Sequence, residues 1–535
     1  MYLRHGPPSL DHGWFGVNTE IFAIKHAVQA SEVVWRVLLQ EKDDDMSSTI
    51  VLTTGVLGLD AVLGGGVANG SLVMLVGAPG VGKTVTASQM VFQAAQQGIA
   101  SLIITAYSES HTKLLSHLQG FSFFDENLVG HAITIVSFQS LMDQAKETFV
   151  SNIAATIRKS QAQLVFIDGF QGLVHDGSDA VLRTLLYTLS TQIAFTSTTI
   201  LVTLAGDFDN RALYPQFTVA DIIINLTFQR SMRRHTRYLE VVKQRSAAPL
   251  PGQHLMTIDN QGVTIFPQLE SYPIPSDRER PVGRVPFGLP ELDELMHGGP
   301  TAGTTTILAG ASGTGRTSLA LRWALEQATP DSQSVYVTFS EHSGELEQKA
   351  ASLQVDLVAA KEAGSVHVLR FSPNQLEPDV VGSYLLPFLT SAKVRRLVID
   401  DVNILIDVLG MRARDFLAAL DDHIYGEAIT SLLVYEIDPF RQLELNLTNT
   451  AIGLFDENVV VLQKYQVGGS VYRVVAVLHM RYSTYDRTLR EFVIDEAGIH
   501  VLSLEETQAS PLPKVIGNIT PPVQSTGESI EKSVG

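Results

Sequence analysis

Two stretches of the chain are apolar with little polar interruption, "SLVMLVG" ending at Gly77 and "TTTILAG" ending at Gly310. Such runs suit strands buried on both faces of a sheet, because a half-exposed strand would alternate apolar and polar positions. Each is followed at once by a glycine-rich loop, "GAPGVGKTV" (77–85) and "GASGTGRTS" (310–318). A stretch with amphipathic helical spacing comes next, "TVTASQMVFQAAQQG" in the first case. Further strands then alternate with helices in each half, which predicts a mostly parallel α/β sheet built twice.

The duplication is visible residue by residue. Gly55, Leu59, Asp60, Gly65, Gly66, Gly70, Gly77 and Gly82 return 233 positions later as Gly288, Leu292, Asp293, Gly298, Gly299, Gly303, Gly310 and Gly315. The match continues with small slips: "SLIITAYSES" with "SVYVTFSEHS", "LVFIDGF" with "RLVIDDV", and "MTIDNQGVTI" with "FVIDEAGIHV". An internal repeat of this kind sets the domain plan. The first domain is expected over 46–267 and the second over 284–504. Between them 268–283, rich in proline and charge, reads as an exposed linker. Residues 505–535 carry Pro, Ser and Thr without period and read as a disordered tail. Residues 1–45 lie outside the repeat. "IFAIKHAVQASEVVWRVLLQ" there has helical spacing, so the segment is either an appended helix or the product of a start assigned upstream of Met46.

Composition narrows the function classes. The chain has 535 residues, 45% of them hydrophobic and 18% charged, enough to bury two cores. A formal charge of −18 offers no general attraction to nucleic acid or to an anionic membrane surface. There is no cysteine, which excludes disulfides and thiolate metal sites. No basic-then-apolar leader and no apolar run of roughly 18 residues is present, so a cytoplasmic location without membrane spans is expected.

The candidate chemistry sits at the two loops. Gly77, Gly82, Lys83 and Thr84 satisfy G-x-x-x-x-G-K-[ST] between a strand and a helix. Backbone N–H groups along Gly80, Val81, Gly82, Lys83, Thr84 and Val85 are placed to cradle phosphates, with the Lys83 ammonium on the β and γ oxygens. ATP is the expected ligand. The Thr84 hydroxyl suits Mg²⁺, and a carboxylate must face it; Asp168, ending the buried strand "LVFID", is the candidate. Glu109, just past the strand "SLIIT", is the candidate to orient or deprotonate water. The second half repeats the plan with Gly313, Thr314, Gly315, Arg316, Thr317 and Ser318 as the cradle. Thr317 and Asp400 are its metal pair, Glu341 its water-directed acid, and Asp401 a second ligand or a helix-capping acid. Arg316 keeps the charge of the lysine, but its planar fork is not a point charge between two phosphates.

The duplicated loop, the G-x-x-x-L-D-x-x-L-x-G-G lead-in and the strand-end acids together resemble the KaiC family of RecA-like ATPases. The resemblance spans Thr53 to Leu504 and implies two tandem RecA-like P-loop NTPase domains. It further implies a homo-hexameric ring with ATP held between adjacent subunits. The family's K-x-R element, which reaches a neighbour's γ-phosphate, falls on Lys243 and Arg245 in "EVVKQRS" and on His479 and Arg481 in "AVLHMRY". Departures accompany the match. Ser108 and Ser340 stand where the family's two-domain members have a further glutamate. Gly453 and Leu454 occupy the places of their phosphorylated serine and threonine, with Thr448 and Thr450 nearby. Clock-type autophosphorylation is therefore not expected. Arg316 and His479 alter one site from two sides, so turnover is expected mainly in the first domain, with weak or structural nucleotide binding in the second. A regulatory ring read by an unidentified protein partner is the leading reading. A RecA/RadA-like DNA-dependent ATPase is the alternative, suggested by Arg230, Arg233, Arg234 and Arg237 in "FQRSMRRHTRY". A nucleotide-gated scaffold is a third.

Overall fold

The computed structural model describes residues 51–105, 111–138, 141, 149–169, 179–206, 208, 217–231, 234–274, 281–373, 376–437, 450–455, 457–467 and 469–503. Glu109 and Ser108, the extension 1–45, the tail 505–535, Arg233 and Thr448 lie outside the described residues. Among the described residues the chain forms two compact units, one within 1–273 with 377–390 and the other within 274–376 with 391–535.

In the first unit a short ribbon pairs β1 (Val51–Leu52) with β2 (Val67–Ala68). The main sheet has nine strands: β3 (Leu72–Gly77), β4 (Ser101–Thr105), β5 (Ile133–Ser137), β6 (Leu164–Ile167), β7 (Thr199–Ala205), β8 (Ile222–Ser231), β9 (Arg234–Gln244), β10 (His254–Asp259) and β11 (Gly262–Phe266). Their order is β11-β10-β9-β8-β3-β7-β6-β4-β5. Strands β3 to β8 run parallel, and β8 to β11 continue as an antiparallel meander.

The uninterrupted apolar run of β3 has a direct cause. Val73 and Leu75 point into one core, which includes Met90, Val91 and Phe92 of the helix Lys83–Gln96. Leu72, Met74 and Val76 point into the other, against Ile153 and Ile157 of the helix Phe149–Ser160 and Leu185, Leu189 and Ile193 of the helix Asp179–Thr196. Side chains alternate across a strand, so a strand with a core on each side must be apolar at both parities.

The second unit repeats the sheet with β12 (Thr305–Gly310), β13 (Gln333–Thr338), β14 (Val366–Arg370), β15 (Val394–Asp400), β16 (Thr430–Glu436), β17 (Asn458–Val467), β18 (Ser470–Met480), β19 (Arg490–Asp495) and β20 (Gly498–Ser503). The order β14-β13-β15-β16-β12-β17-β18-β19-β20 is that of the first sheet strand for strand. These are tandem RecA-like domains.

The aspartate of the lead-in is structural. Asp60 accepts from the Thr54 N–H at 2.9 Å. Asp293 accepts from the N–H groups of Phe287, Gly288 and Leu289 at 2.7, 3.0 and 3.1 Å. Burial raises the Asp293 pKa, and these three hydrogen bonds oppose the rise. The stretch 268–283, expected to be exposed, is anchored at its start: Leu269 and Tyr272 are buried around a short 3₁₀ turn. Polar composition hid two anchoring side chains, and exposure begins at Pro273.

Candidate nucleotide site

Parallel strands deliver their chemistry at one edge of the sheet, the carboxyl ends, where loops enter helices. In the first unit that edge carries the loop after β3 and Asp168 after β6. Gly82 caps the helix Lys83–Gln96 with φ 119°, a conformation glycine adopts freely. A Cβ there would also lie 2.6 Å from Ile258 and 2.9 Å from Met256, so the β10 hairpin packs directly beneath the loop. Val81 is buried, while a Cβ on Gly80 would meet nothing within 4 Å, which leaves the crest of the loop open.

The Lys83 ammonium docks on loop carbonyls, donating to Gly77 O at 2.7 Å and Ala78 O at 2.9 Å. Burial lowers its pKa, and Asp168 opposes that shift. The Thr84 hydroxyl donates to the Asp168 carboxylate, 3.2 Å from each oxygen. Thr203 at the end of β7 donates to Asp168 Oδ1 at 2.5 Å and accepts from the Gly169 N–H at 2.8 Å, fixing the acid. A hydroxyl and a carboxylate share one spot at the foot of an N–H-lined loop, where Thr84 and Asp168 would offer oxygen ligands to a Mg²⁺ ion. The residues fit ATP with Mg²⁺.

The second cradle keeps the frame and changes the charges. Gly315 caps the helix Arg316–Leu325 at φ 103°, with Ile494 and Phe492 of β19 at 2.7 and 2.8 Å from where a Cβ would sit. Thr317 stands beside Asp400 and helps to hold its carboxyl down, in the place that Thr84 takes beside Asp168. Tyr336 of β13 adds a donor to Asp400 Oδ2 at 2.7 Å. Burial raises the Asp400 pKa, against the hydrogen bond from Tyr336, the neighbouring Thr317 and the charge of Arg316; burial and Asp400 together hold the Tyr336 phenol well above its ordinary range. Of the two readings of Asp401, the structure has the capping one, with its carboxylate accepting the Asn403 N–H at 2.9 Å.

Arg316 does not lie as Lys83 does. Its Nη2 donates to Glu436 Oε2 at 2.6 Å, with the arginine side chain only 9% exposed. Its Nη1 is buried and meets no acceptor among the described residues. Glu436 ends β16, paired with the first loop glycine, Gly310; the equivalent pair in the first unit is Gly77 with Ala205. An alanine beside the lysine loop has become a glutamate beside the arginine loop. Glu341 is likewise engaged, its carboxylate forming an ion pair with Lys349.

The residues of the K-x-R element lie at the far edge. Lys243 Nζ donates to the carbonyls of Phe217 and Thr218 at 3.1 Å each, and Arg245 contacts Thr218 O at 3.1 Å and Asp221 at 3.4 Å. Burial and the neighbouring Arg245 lower the Lys243 pKa. Asp221 accepts the N–H of Leu72, the first residue of β3, whereas the loop follows its last. Arg481 is placed alike: its N–H donates to Glu457 O at 2.7 Å, and Glu457 accepts from Thr305 N–H at the start of β12. His479 pairs with Val459 at the register that Lys243 holds with Ile223. Within the arginine-bearing hairpin, Arg237 lies over the Phe228 ring at 5.1 Å.

Two phosphate loops on RecA-like sheets, each with a hydroxyl and a strand-end acid at its foot, define a tandem P-loop NTPase. The chain belongs to the KaiC family: the family model described as "ATPase: KaiC" matches residues 52–270 and again 285–506. It is similar to the circadian clock oscillator protein KaiC of Picosynechococcus sp., 23% identical over 461 residues covering 84% of this chain and 88% of the relative. KaiC of Synechococcus elongatus gives 23% over 460 residues with the same coverage, and that of Parathermosynechococcus lividus 23% over 462 residues, 84% of each chain. No helix among the described residues is long and apolar enough to cross a membrane.

Sequence reasoning missed Thr203, Tyr336, Glu436 and Lys464 at the two cradles. Each lies on a strand outside the loop motif. Setting the repeat halves strand by strand would have exposed them, since Ala205 answers Glu436 and Phe228 answers Lys464.

Proposed function

We propose that the chain is an ATP-binding, ATP-hydrolysing ring protein in which turnover resides in the first domain and the second holds nucleotide without appreciable hydrolysis. The observation that carries this reading is the contrast between the cradles. Lys83 rests on loop carbonyls beside a paired Thr84 and Asp168, whereas Arg316 is tied to Glu436.

Bound ATP with Mg²⁺ would supply the phosphoryl group and the divalent charge on its oxygens. Loop N–H groups from Gly80 to Val85 would hold the phosphates with the Lys83 ammonium, and Thr84 and Asp168 would present oxygens to the metal. Glu109, just beyond β4, orients or deprotonates the attacking water. Lys243 and Arg245 stand at the opposite edge of their own sheet, so the phosphates they serve belong to another copy of the chain. That placement supports a closed homo-oligomeric ring, with six subunits as the family likeness suggests. In the second domain, the Glu341 ion pair with Lys349 and the shorter side chain of His479 where a lysine would stand both work against turnover. Such a ring suits a regulatory role, read by a protein partner through its nucleotide state. The test is oligomer size by light scattering and phosphate release on one sample, with and without ATP and Mg²⁺. Nucleotide-dependent assembly with slow release supports the reading; a monomer in saturating ATP and Mg²⁺ that releases phosphate as fast as any assembled fraction contradicts it.

A further inference from the structure

We propose that Lys464, a strand residue outside the loop motif, is the phosphate-facing ammonium of the second cradle and stands in for the lysine that the loop lacks. The proposal rests on the reading that this cradle takes the phosphates of a nucleotide.

Three register-matched exchanges separate the cradles. Lys83 becomes Arg316, Ala205 becomes Glu436, and Phe228 becomes Lys464; the last follows from β3 pairing Gly77 with Leu226 and β12 pairing Gly310 with Leu462. The first two exchanges leave a neutral ion pair where the first cradle has a lone ammonium, because Glu436 holds the guanidinium at 2.6 Å. Asn403 locks Glu436 in place: its side chain accepts the Glu436 N–H at 2.7 Å and donates to the Glu436 carbonyl at 3.0 Å. The third exchange restores a cation. Lys464 Nζ donates to the carbonyl of Ser312, inside the loop, at 2.8 Å, and lies 2.8 Å from where a Cβ on Gly313 would project. In the first cradle Lys83 makes the same kind of contact, an ammonium resting on loop carbonyls.

The two ammonium groups differ in origin, one from the helix start and one from β17, but both rest on the loop backbone. Lys464 is exposed, so its head group can turn from Ser312 to a phosphate oxygen at small cost. The buried Nη1 of Arg316 meets no acceptor among the described residues and offers a phosphate oxygen a further donor. The loop is therefore rebuilt for binding, with its mobile charge moved to a neighbouring strand.

The test uses the full-length chain carrying Lys83→Ala, to weaken the first cradle, and radiolabelled ATP with Mg²⁺ in equilibrium dialysis. Adding Lys464→Met should weaken the remaining saturable binding by about tenfold, as loss of one charge-assisted hydrogen bond to phosphate implies. Lys464→Arg, which keeps the charge, should restore most of it. Saturable binding unchanged by Lys464→Met overturns the assignment alone. A Lys83→Ala parent with no saturable binding overturns the reading of the second cradle, and the assignment with it.

Discussion

If Lys243 and Arg245 act on another subunit's nucleotide, two inactive variants should rescue each other. Strand β3 runs from Leu72 to Gly77, and Arg245 is held at its start through Asp221 while the phosphate loop begins at its end. Five residue steps at about 3.3 Å put roughly 16 Å between those levels, more than an extended arginine side chain covers. Arg245→Ala is expected to lose about a thousandfold or more of turnover, the usual cost of an arginine finger. Lys83→Ala should lose as much, by removing the cation from the loop. When the two variants are mixed one to one without nucleotide and then assembled with ATP and Mg²⁺, each site draws loop and finger from different chains. Random assembly leaves about one site in four with both groups intact, so phosphate release should recover to about a quarter of the wild-type rate. Release no higher than the mean of the unmixed variants, in rings shown by mass to contain both chains, would refute the trans arrangement.

Other consequences are more local. Asp168→Asn keeps the shape of the foot of the loop but removes its charge; Mg²⁺-dependent phosphate release should fall roughly a hundredfold or more, while far-UV circular dichroism stays unchanged. His423, buried in the helix Ala413–Gly426, has its pKa lowered to about 4 by burial. It stays neutral when folded and takes a proton when unfolded between about pH 6.5 and pH 4, so stability should fall as pH drops through that window, by up to ~3 kcal/mol. Urea denaturation at pH 7 and pH 5 should show a smaller loss for His423→Leu than for the wild type.

Much of the fold was legible because its determinants are local or periodic. β3 and β6 betray themselves as apolar runs, since cores lie on both faces of the sheet, and the loop glycines mark where a strand must turn into a helix. The repeat then carried each landmark into the second half. What escaped was set by register between distant strands. Nothing near Arg316 in sequence announces Glu436, 120 residues away, and only the pairing of β12 with β16 brings them together. Lys464 reads as a surface charge on an amphipathic strand until β17 is laid beside β12. The same logic explains Leu269 and Tyr272, two apolar residues in a polar stretch whose anchoring depends on tertiary contacts.

The central claim, that hydrolysis belongs to the first cradle, is tested most directly by phosphate release from Lys83→Ala and Arg316→Ala assayed side by side with saturating ATP and Mg²⁺. The account predicts that Lys83→Ala falls to near the uncatalysed background while Arg316→Ala keeps most of the wild-type rate. Substantial release from Lys83→Ala, or its collapse in Arg316→Ala with the ring intact, would contradict it.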